Sequence, residues 1–259
     1  MKMSCLSAGW RSVCLVVAVF GWTGGARGQE QVTGADVAEE RATAVLHVNI
    51  GHPDAADENA GTSSSPLRSI GRGAELAMAN NSKGIGTKIL IAPGVYRDQV
   101  KLPHRGKEQT DAPMIFEAVE KGTVTLTGSD VFSEWHRVEG KENLYWHHWP
   151  HKWGPREQVK DPVWLRCGIV YRPILLRRET VYANGQLLRL VLSPLGLREG
   201  THYVSEEDEK LVVWLPKGLD ARTALMEVPI RQGLFTGERQ SNVVLRGLKI
   251  THDNHYFGM

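Results

Sequence analysis

The sequence has 259 residues, a formal net charge of +2 and an aromatic content of 7%. A hydrophobic content of 41% with 23% charged residues is ordinary for a globular protein and excludes wholesale disorder. Apolar runs stay below the length of about 18 residues that a membrane-spanning helix needs. The small net charge argues against nucleic acid as the main partner.

Residues 1–28 have the pattern of a secretory signal peptide. Lys2 and Arg11 give a positive start, an apolar run of eleven residues follows, and the small residues Ala26 and Gly28 mark a cleavage site. We therefore expect a secreted, periplasmic or cell-surface protein that has no membrane contact after cleavage. Cleavage removes three of the 31 basic residues and none of the 29 acidic ones, which leaves a net charge of −1.

The next elements in chain order are a leader, a strand and a helix. Residues 29–44 are small and polar, which predicts a flexible leader. Alternating apolar and polar residues from Val45 predict a strand. After a turn-rich loop, Ser65 suits a helix N-cap and Pro66 the first helical position, and the helix is expected to end near Asn80. One face of this helix is predicted to be buried, because apolar residues recur at spacings of three and four: Leu67, Ile70, Ala74 and Ala77.

The chain after Thr87 has the pattern of an all-β protein. Short apolar strands and Gly turns alternate in TKILIAPGVYRDQVKL, APMIFEAV and GTVTLTG. Residues 131–240 lose this spacing and contain strands typical of antiparallel hairpins, so we interpret them as a small inserted β subdomain. The pattern of short apolar strands returns in residues 241–259. The pattern alone leaves a sandwich, a barrel and a solenoid open.

The order of these motifs resembles the N-terminal portion of secreted right-handed parallel β-helix proteins of the pectin-lyase-like type. The resemblance rests on DENAGTSSSPLRSIGRGAELA, TKILIAPGVYRDQVKL, APMIFEAVEKGTVTLTGSD and SNVVLRGLKITHDN. It implies a right-handed parallel β-helix in which residues 45–130 form a capping helix and the first coils, and residues 241–259 begin the main solenoid. A solenoid needs such a cap because its first coil has no neighbour on one side. Active family members continue through many more coils, so we expect a truncated product.

The resemblance also implies a polysaccharide-processing function, of the lyase or the glycosidase type. Catalytic groups of such enzymes project from middle coils, so no catalytic residue is carried over and the chain is expected to be inactive alone. The catalytic candidates from the sequence itself are His252, Asp253 and His255, which lie beside the last predicted strand. The sequence indicates no cofactor, although Ca²⁺ would suit a complete lyase that neutralises a uronate. The alternative function is a non-catalytic carbohydrate-binding or surface protein.

A tryptophan-rich segment offers candidate substrate-binding residues. Trp146, Trp149 and Trp153 could stack on sugar rings, because flat apolar faces suit that contact. The alternative is that they form the core of the inserted subdomain. Histidines accompany them at positions 147, 148 and 151, but the spacing is not a recognised ligand pattern and no cysteine or carboxylate is paired with it, so no metal site is predicted.

Overall fold

The computed structural model of the protein describes residues 34–104, 106–153 and 177–254, most of whose regular elements are β-strands. The predicted signal peptide, the beginning of the predicted leader and the candidate His255 lie outside the described residues. No helix within the described ranges is long and apolar enough to cross a membrane.

The elements fall into three groups along the chain. The first contains α1 (Gly34–Glu40), β1 (Ala42–Val48), α2 (Ile70–Asn81), β2 (Gly86–Ile91), β3 (Gly94–Tyr96), β4 (Val100–Leu102), β5 (Met114–Ala118) and β6 (Val124–Thr127). The second contains β7 (Ser129–Val131), β8 (His136–Arg137), β9 (Leu144–His148), β10 (Val181–Ala183), β11 (Gln186–Leu190), a 3-10 helix (Pro194–Gly196), β12 (Thr201–Ser205), β13 (Lys210–Trp214) and β14 (Met226–Pro229). The third contains β15 (Phe235–Gly237), β16 (Val243–Arg246) and β17 (Leu248–Thr251).

The first and third groups form three sheets whose strand pairs are all parallel. Their orders are β1-β2-β5-β16, β3-β6-β17 and β4-β15. Side chains in register form columns across neighbouring strands, and one such column contains Leu46, Ile89, Phe116 and Leu245. These residues belong to one hydrophobic core, which explains the Val/Ile/Leu content of the strands. The expectation of an all-β protein is confirmed.

Helix α2 covers one end of this core. Leu67, Ile70, Ala74 and Ala77 are all at most 2% exposed, as the apolar stripe predicts. The helix begins later than expected, because Ser69 and not Ser65 is the N-cap, with its Oγ accepting from the N–H of Arg72 at 3.1 Å. Leu67 instead extends the edge of β1: its N–H donates to the carbonyl of His47 at 2.9 Å.

The inserted region forms a second, mixed sheet with its own hydrophobic core. The strand order is β7-β14-β10-β11-β12-β13-β9-β8, and every pair is antiparallel except β11 with β12. The expectation of a purely antiparallel subdomain is therefore wrong at that pair. Its predicted end at residue 240 is too late, because Phe235–Gly237 already pairs in parallel with Val100–Leu102.

The N-terminal part of the described chain is more ordered than the flexible leader predicted for residues 29–44. Residues 34–40 form α1, and β1 already begins at Ala42. Glu39 of α1 lies 3.0 Å from the guanidinium of Arg246 and also pairs with Lys88. The small polar sequence does not predict this helix, because the contacts of Glu39 are to strands far away in the chain.

Candidate functional site

Two loops meet where the inserted sheet joins the parallel sheets, and we call this region the junction. One loop follows β14 and the other follows β17. The N–H of Asn254 donates to the carbonyl of Arg231 at 2.9 Å, and the N–H of Gly233 donates to Oδ1 of Asp253 at 2.8 Å. These bonds fix the two loops against each other, so residues far apart in sequence form one surface.

Gly128, between β6 and β7, permits the close approach of these loops. A Cβ at this position would lie 2.3 Å from the carbonyl oxygen of His252 and 3.2 Å from that of Arg231. The carbonyl of Gly128 accepts from the N–H of Ile230 at 2.9 Å. His252 itself has a φ of 57°, a left-handed conformation that residues with a side chain adopt infrequently. The backbone therefore directs His252 toward the inserted sheet.

The imidazole of His252 is held by two residues of the inserted sheet. Its Nδ1 lies 2.9 Å from Oγ of Ser129, and its ring stacks on Tyr182 with centroids 3.9 Å apart. Burial lowers the pKa of His252, Arg97 lowers it further, and Glu227 opposes the change. Burial, with Glu227 adding to it, raises the pKa of the Tyr182 phenol. Both rings are therefore neutral at neutral pH.

Two ion pairs lie at the junction, of which Arg97 with Glu227 joins a parallel sheet to the inserted sheet and Arg231 with Asp130 links the ends of the neighbouring strands β14 and β7. Arg97, after β3, lies 2.9 Å from a carboxylate oxygen of Glu227 and donates to the carbonyl of Ser129 at 2.7 Å. Arg231 lies 2.6 Å from Oδ1 of Asp130. Because each carboxylate accepts from a guanidinium, both arginines are held in one geometry.

The structure places two of the predicted catalytic candidates, His252 and Asp253, at the junction. Both make contacts that hold the two loops and the inserted sheet together. Ser129 is fully buried, so the Ser129–His252 pair cannot present a nucleophile to a bulky saccharide. In this arrangement the contacts of His252 and Asp253 hold the two loops and the inserted sheet in place.

The three predicted stacking tryptophans occupy different environments. Trp149 is 1% exposed and belongs to the core of the inserted sheet, so its faces cannot reach a sugar, and its predicted role as a stacking residue is corrected. Trp146 lies beside His136, with ring centroids 4.4 Å apart, and near Lys210. It alternates with the buried Tyr145 along β9 and therefore lies on the other face of the sheet.

Trp153 is half-buried at the edge of the second core and close to the junction. Its ring stacks on His151 with centroids 4.8 Å apart, and the guanidinium of Arg178 lies 4.3 Å from its centroid. Burial and then Arg178 lower the pKa of His151, while Asp130 opposes the change. Trp153 also lines an open depression beside the junction.

The neighbouring histidines are distributed among separate contacts. His147 packs against Phe132 and Trp135, with ring centroids 4.6 Å and 5.2 Å apart, while His148 is exposed and His151 stacks on Trp153. In the part of the chain that the structure describes, no group of three or more His, Cys, Asp or Glu side chains could hold a metal ion.

An open depression of about 390 Å³ lies beside the junction, between the parallel sheets and the inserted sheet. It is lined by Gln99, Lys101, Trp153, Arg178, Ile230, Arg231 and Gln232. Among the described residues that line it, three side chains are cationic and none is acidic. Gln99 and Gln232 both line the depression, and Nε2 of Gln99 donates to the carbonyl of Gln232 at 2.6 Å. The surface offers hydrogen-bond donors, positive charge and one aromatic ring to a polar ligand.

Sequence reasoning missed most of this site. Arg97, Lys101, Tyr182, Glu227 and Arg231 lie on widely separated segments, and no motif connects them. One signal was available: the residues that flank an insertion must lie at its junction with the parent fold. That rule selects the segments on either side of β7 and β14, which include Asp130 and Arg231.

Comparison with known proteins gives a likeness of fold. No protein-family model and no curated protein sequence matches the chain. Similar solved structures exist. They include XylC in complex with xylose, with a TM-score of 0.59, 19% identity and coverage of 81% of this chain and 35% of that one. They also include a glycoside hydrolase, with a TM-score of 0.51, 14% identity and coverage of 81% of this chain and 51% of that one.

These similarities at low identity establish the fold alone, because one fold hosts many functions. The chain spans about a third of the length of the XylC chain and about half of the glycoside hydrolase chain.

Proposed function

We propose that the protein is the N-terminal part of an exported, right-handed parallel β-helix protein that processes polysaccharides, and that the depression at the junction contacts the saccharide. The depression carries the proposal. Side chains of both sheet systems line it together, and they combine amides, cations and an aromatic ring, the side-chain types that orient sugars.

The strand order supports the β-helix interpretation. Successive strands β2, β3 and β4 each belong to a different parallel sheet, and β5, β6 and β15 repeat that order in the same three sheets. The similarity to XylC with xylose and to a glycoside hydrolase supports a saccharide as the ligand class.

The environment of the junction carboxylates favours binding over catalysis for this part of the protein. Glu227 and Asp130 are paired with arginines, and Asp253 accepts from a backbone N–H. A glycosidase needs one carboxyl group that donates a proton and a second that acts as base or nucleophile, both facing the scissile bond. These carboxylates instead hold the junction together, so a non-catalytic carbohydrate-binding role is the second candidate.

Matched tryptophan variants test the proposal. Isothermal titration with neutral and acidic oligosaccharides should detect binding to the purified chain, and Trp153→Ala should abolish it. Trp146→Ala, on the other face of β9, is the control and should bind as the unmodified chain does. Circular dichroism checks the fold, and Gln99→Ala replaces Trp153→Ala if that variant unfolds. Absence of binding to every oligosaccharide, or loss only in Trp146→Ala, contradicts the proposal.

Assays of new reducing ends and of unsaturated uronate absorbance separate the two candidate functions. Turnover by the purified chain favours an enzyme, and binding without turnover favours the non-catalytic role.

Export is proposed from the leader sequence, with cleavage after Gly28. N-terminal sequencing of material recovered outside the cytoplasm should begin at Gln29. Recovered protein that retains Met1 contradicts it.

A further inference from the structure

We infer that the protein forms a two-fold symmetric dimer through the end of the parallel sheets where β15, β16 and β17 lie. This inference goes beyond the proposed function and does not depend on which ligand the depression binds. The outer edges of these three strands form a surface that we call the open end. In the part of the chain that the structure describes, each of the three is the last strand of its sheet and has a strand partner on one side only.

The open end exposes apolar side chains of a kind that is buried in the strands before it. Tyr96, Leu126 and Ile250 stand in register across β3, β6 and β17, and they are 1%, 0% and 44% exposed. Phe116 of β5 is fully buried, whereas its register partner Leu245 of β16 is partly exposed. Burial of such side chains against a second surface favours association, and unpaired strand edges add backbone groups that can bond to another strand.

The geometry of the open end favours a second copy of the chain as its partner. A partner that covers this surface must supply three strands, one for each sheet, in a matching arrangement. The same end of a second copy has that arrangement, and a two-fold axis in the plane of contact pairs the strands antiparallel. When the axis passes through β16, this strand pairs with its own copy, and β15 of each protomer pairs with β17 of the other.

Side-chain orientation supports an axis through β16. With Val244 opposite its own copy, Val243 of one protomer lies opposite Leu245 of the other. Val243 and Leu245 both pack against the first core, so their side chains stay on one face of the joined sheet. The residue on the axis is uncharged and apolar, so the pair centred on Val244 is self-complementary.

Axes through the other two strands are less favourable. An axis through β17 that matches the apolar residues of this strand places Lys249 opposite its own copy, and like charges directly opposite each other destabilise a strand pair. An axis through β15 places Phe235 opposite Gly237, which has no side chain to pack against the ring. Charge and packing therefore select the arrangement centred on β16.

Measurement of mass against concentration tests the dimer. Sedimentation equilibrium of the purified chain should show reversible association that stops at twice the monomer mass, because a two-fold interface closes on itself. Ile250→Lys places a charge in the open end and should weaken the dimer by at least about tenfold. Val45→Lys is the control, because Val45 is 49% exposed on β1, at the other end of the parallel sheets. Thermal unfolding checks that both variants are folded.

Cysteine variants locate the axis without disturbing the apolar contacts. Val244→Cys should form a covalent dimer under mild oxidation, since residues directly opposite in an antiparallel pair lie within the distance that a disulfide spans. Lys249→Cys is the matched control and should stay monomeric on denaturing gels, because its copy lies on a different edge. In both variants Cys5, Cys14 and Cys167 are replaced by serine, so that the new thiol is the only one.

The outcomes separate the dimer from its arrangement. A monomer mass at every concentration, or association that is unchanged in Ile250→Lys, overturns the inference. Association that continues beyond the dimer, or cross-linking in Lys249→Cys and not in Val244→Cys, overturns the two-fold arrangement about β16. Saccharide binding is measured separately, so its failure and the failure of the dimer are distinguishable.

Discussion

The imidazole of His252 stacks on the phenol ring of Tyr182, with centroids 3.9 Å apart and ring planes inclined by 17°. His252 directly follows β17 of a parallel sheet, whereas Tyr182 lies on β10 of the inserted sheet. The contact therefore joins the two sheet systems, and the Ser129 hydroxyl beside Nδ1 completes it. Contacts between the sheets and within their cores can each be tested by substitution.

The first prediction concerns the protonation of His252. Burial is the main cause of its lowered pKa, and Glu227 partly offsets the effect. A proton titration followed by NMR should give a pKa below the ordinary value of about 6.5. Glu227→Gln should lower it further, because the variant removes a negative charge and leaves Arg97 unpaired. A pKa that rises in Glu227→Gln contradicts the described geometry.

The second prediction concerns Gly128. Gly128→Ala places a methyl group 2.3 Å from the carbonyl oxygen of His252, so the two loops must separate. We expect a loss of about 1–3 kcal/mol in the free energy of unfolding, measured by urea denaturation, together with a changed chemical shift for His252. Gly106→Ala is the control, because no atom lies within 4 Å of the added Cβ. Equal stability of both variants refutes the close approach.

The third prediction concerns the cap. Ile70 is 1% exposed where α2 covers the first core, so Ile70→Asp places an unpaired charge among apolar side chains. The free energy of unfolding should fall by about 3–5 kcal/mol. Ala79→Asp introduces the same charge at an exposed position of the same helix and should change stability far less. An unchanged melting temperature in Ile70→Asp would falsify the assignment of α2 as a cap.

The fourth prediction concerns acid stability. His202 is fully buried in the inserted sheet, and burial lowers its pKa from about 6.5 to about 4. As the pH falls from 6.5 to 4, the unfolded chain binds a proton that the folded chain does not, so stability declines. The loss attributable to His202 reaches about 3 kcal/mol at pH 4 and levels off within about one pH unit below it.

Urea denaturation of the unmodified chain and of His202→Gln between pH 4 and 7.5 measures this contribution as a difference, in which the other titrating groups cancel. Parallel pH profiles for the two proteins are incompatible with a buried neutral His202.

Local sequence patterns determined much of the fold. The apolar stripe from Leu67 to Ala77 predicted which residues of the cap are buried, because burial of one helix face requires that spacing. Short strands with Gly turns predicted an all-β protein. These features depend on contacts between near neighbours, which the order of residues encodes directly.

Only the tertiary structure decided the rest. Ser69 replaces Ser65 as the N-cap because Leu67 is hydrogen-bonded along the edge of β1, a strand on the far side of the intervening loop. Trp149 lies in the core while Trp146 lies on the opposite face, a distinction that depends on how β9 pairs in the sheet. The depression joins Lys101, Arg178 and Arg231, which approach one another only because the insertion folds back on the parallel sheets. Sequence patterns report local periodicity and burial, whereas the pairing of distant segments is set by the packing of the whole chain.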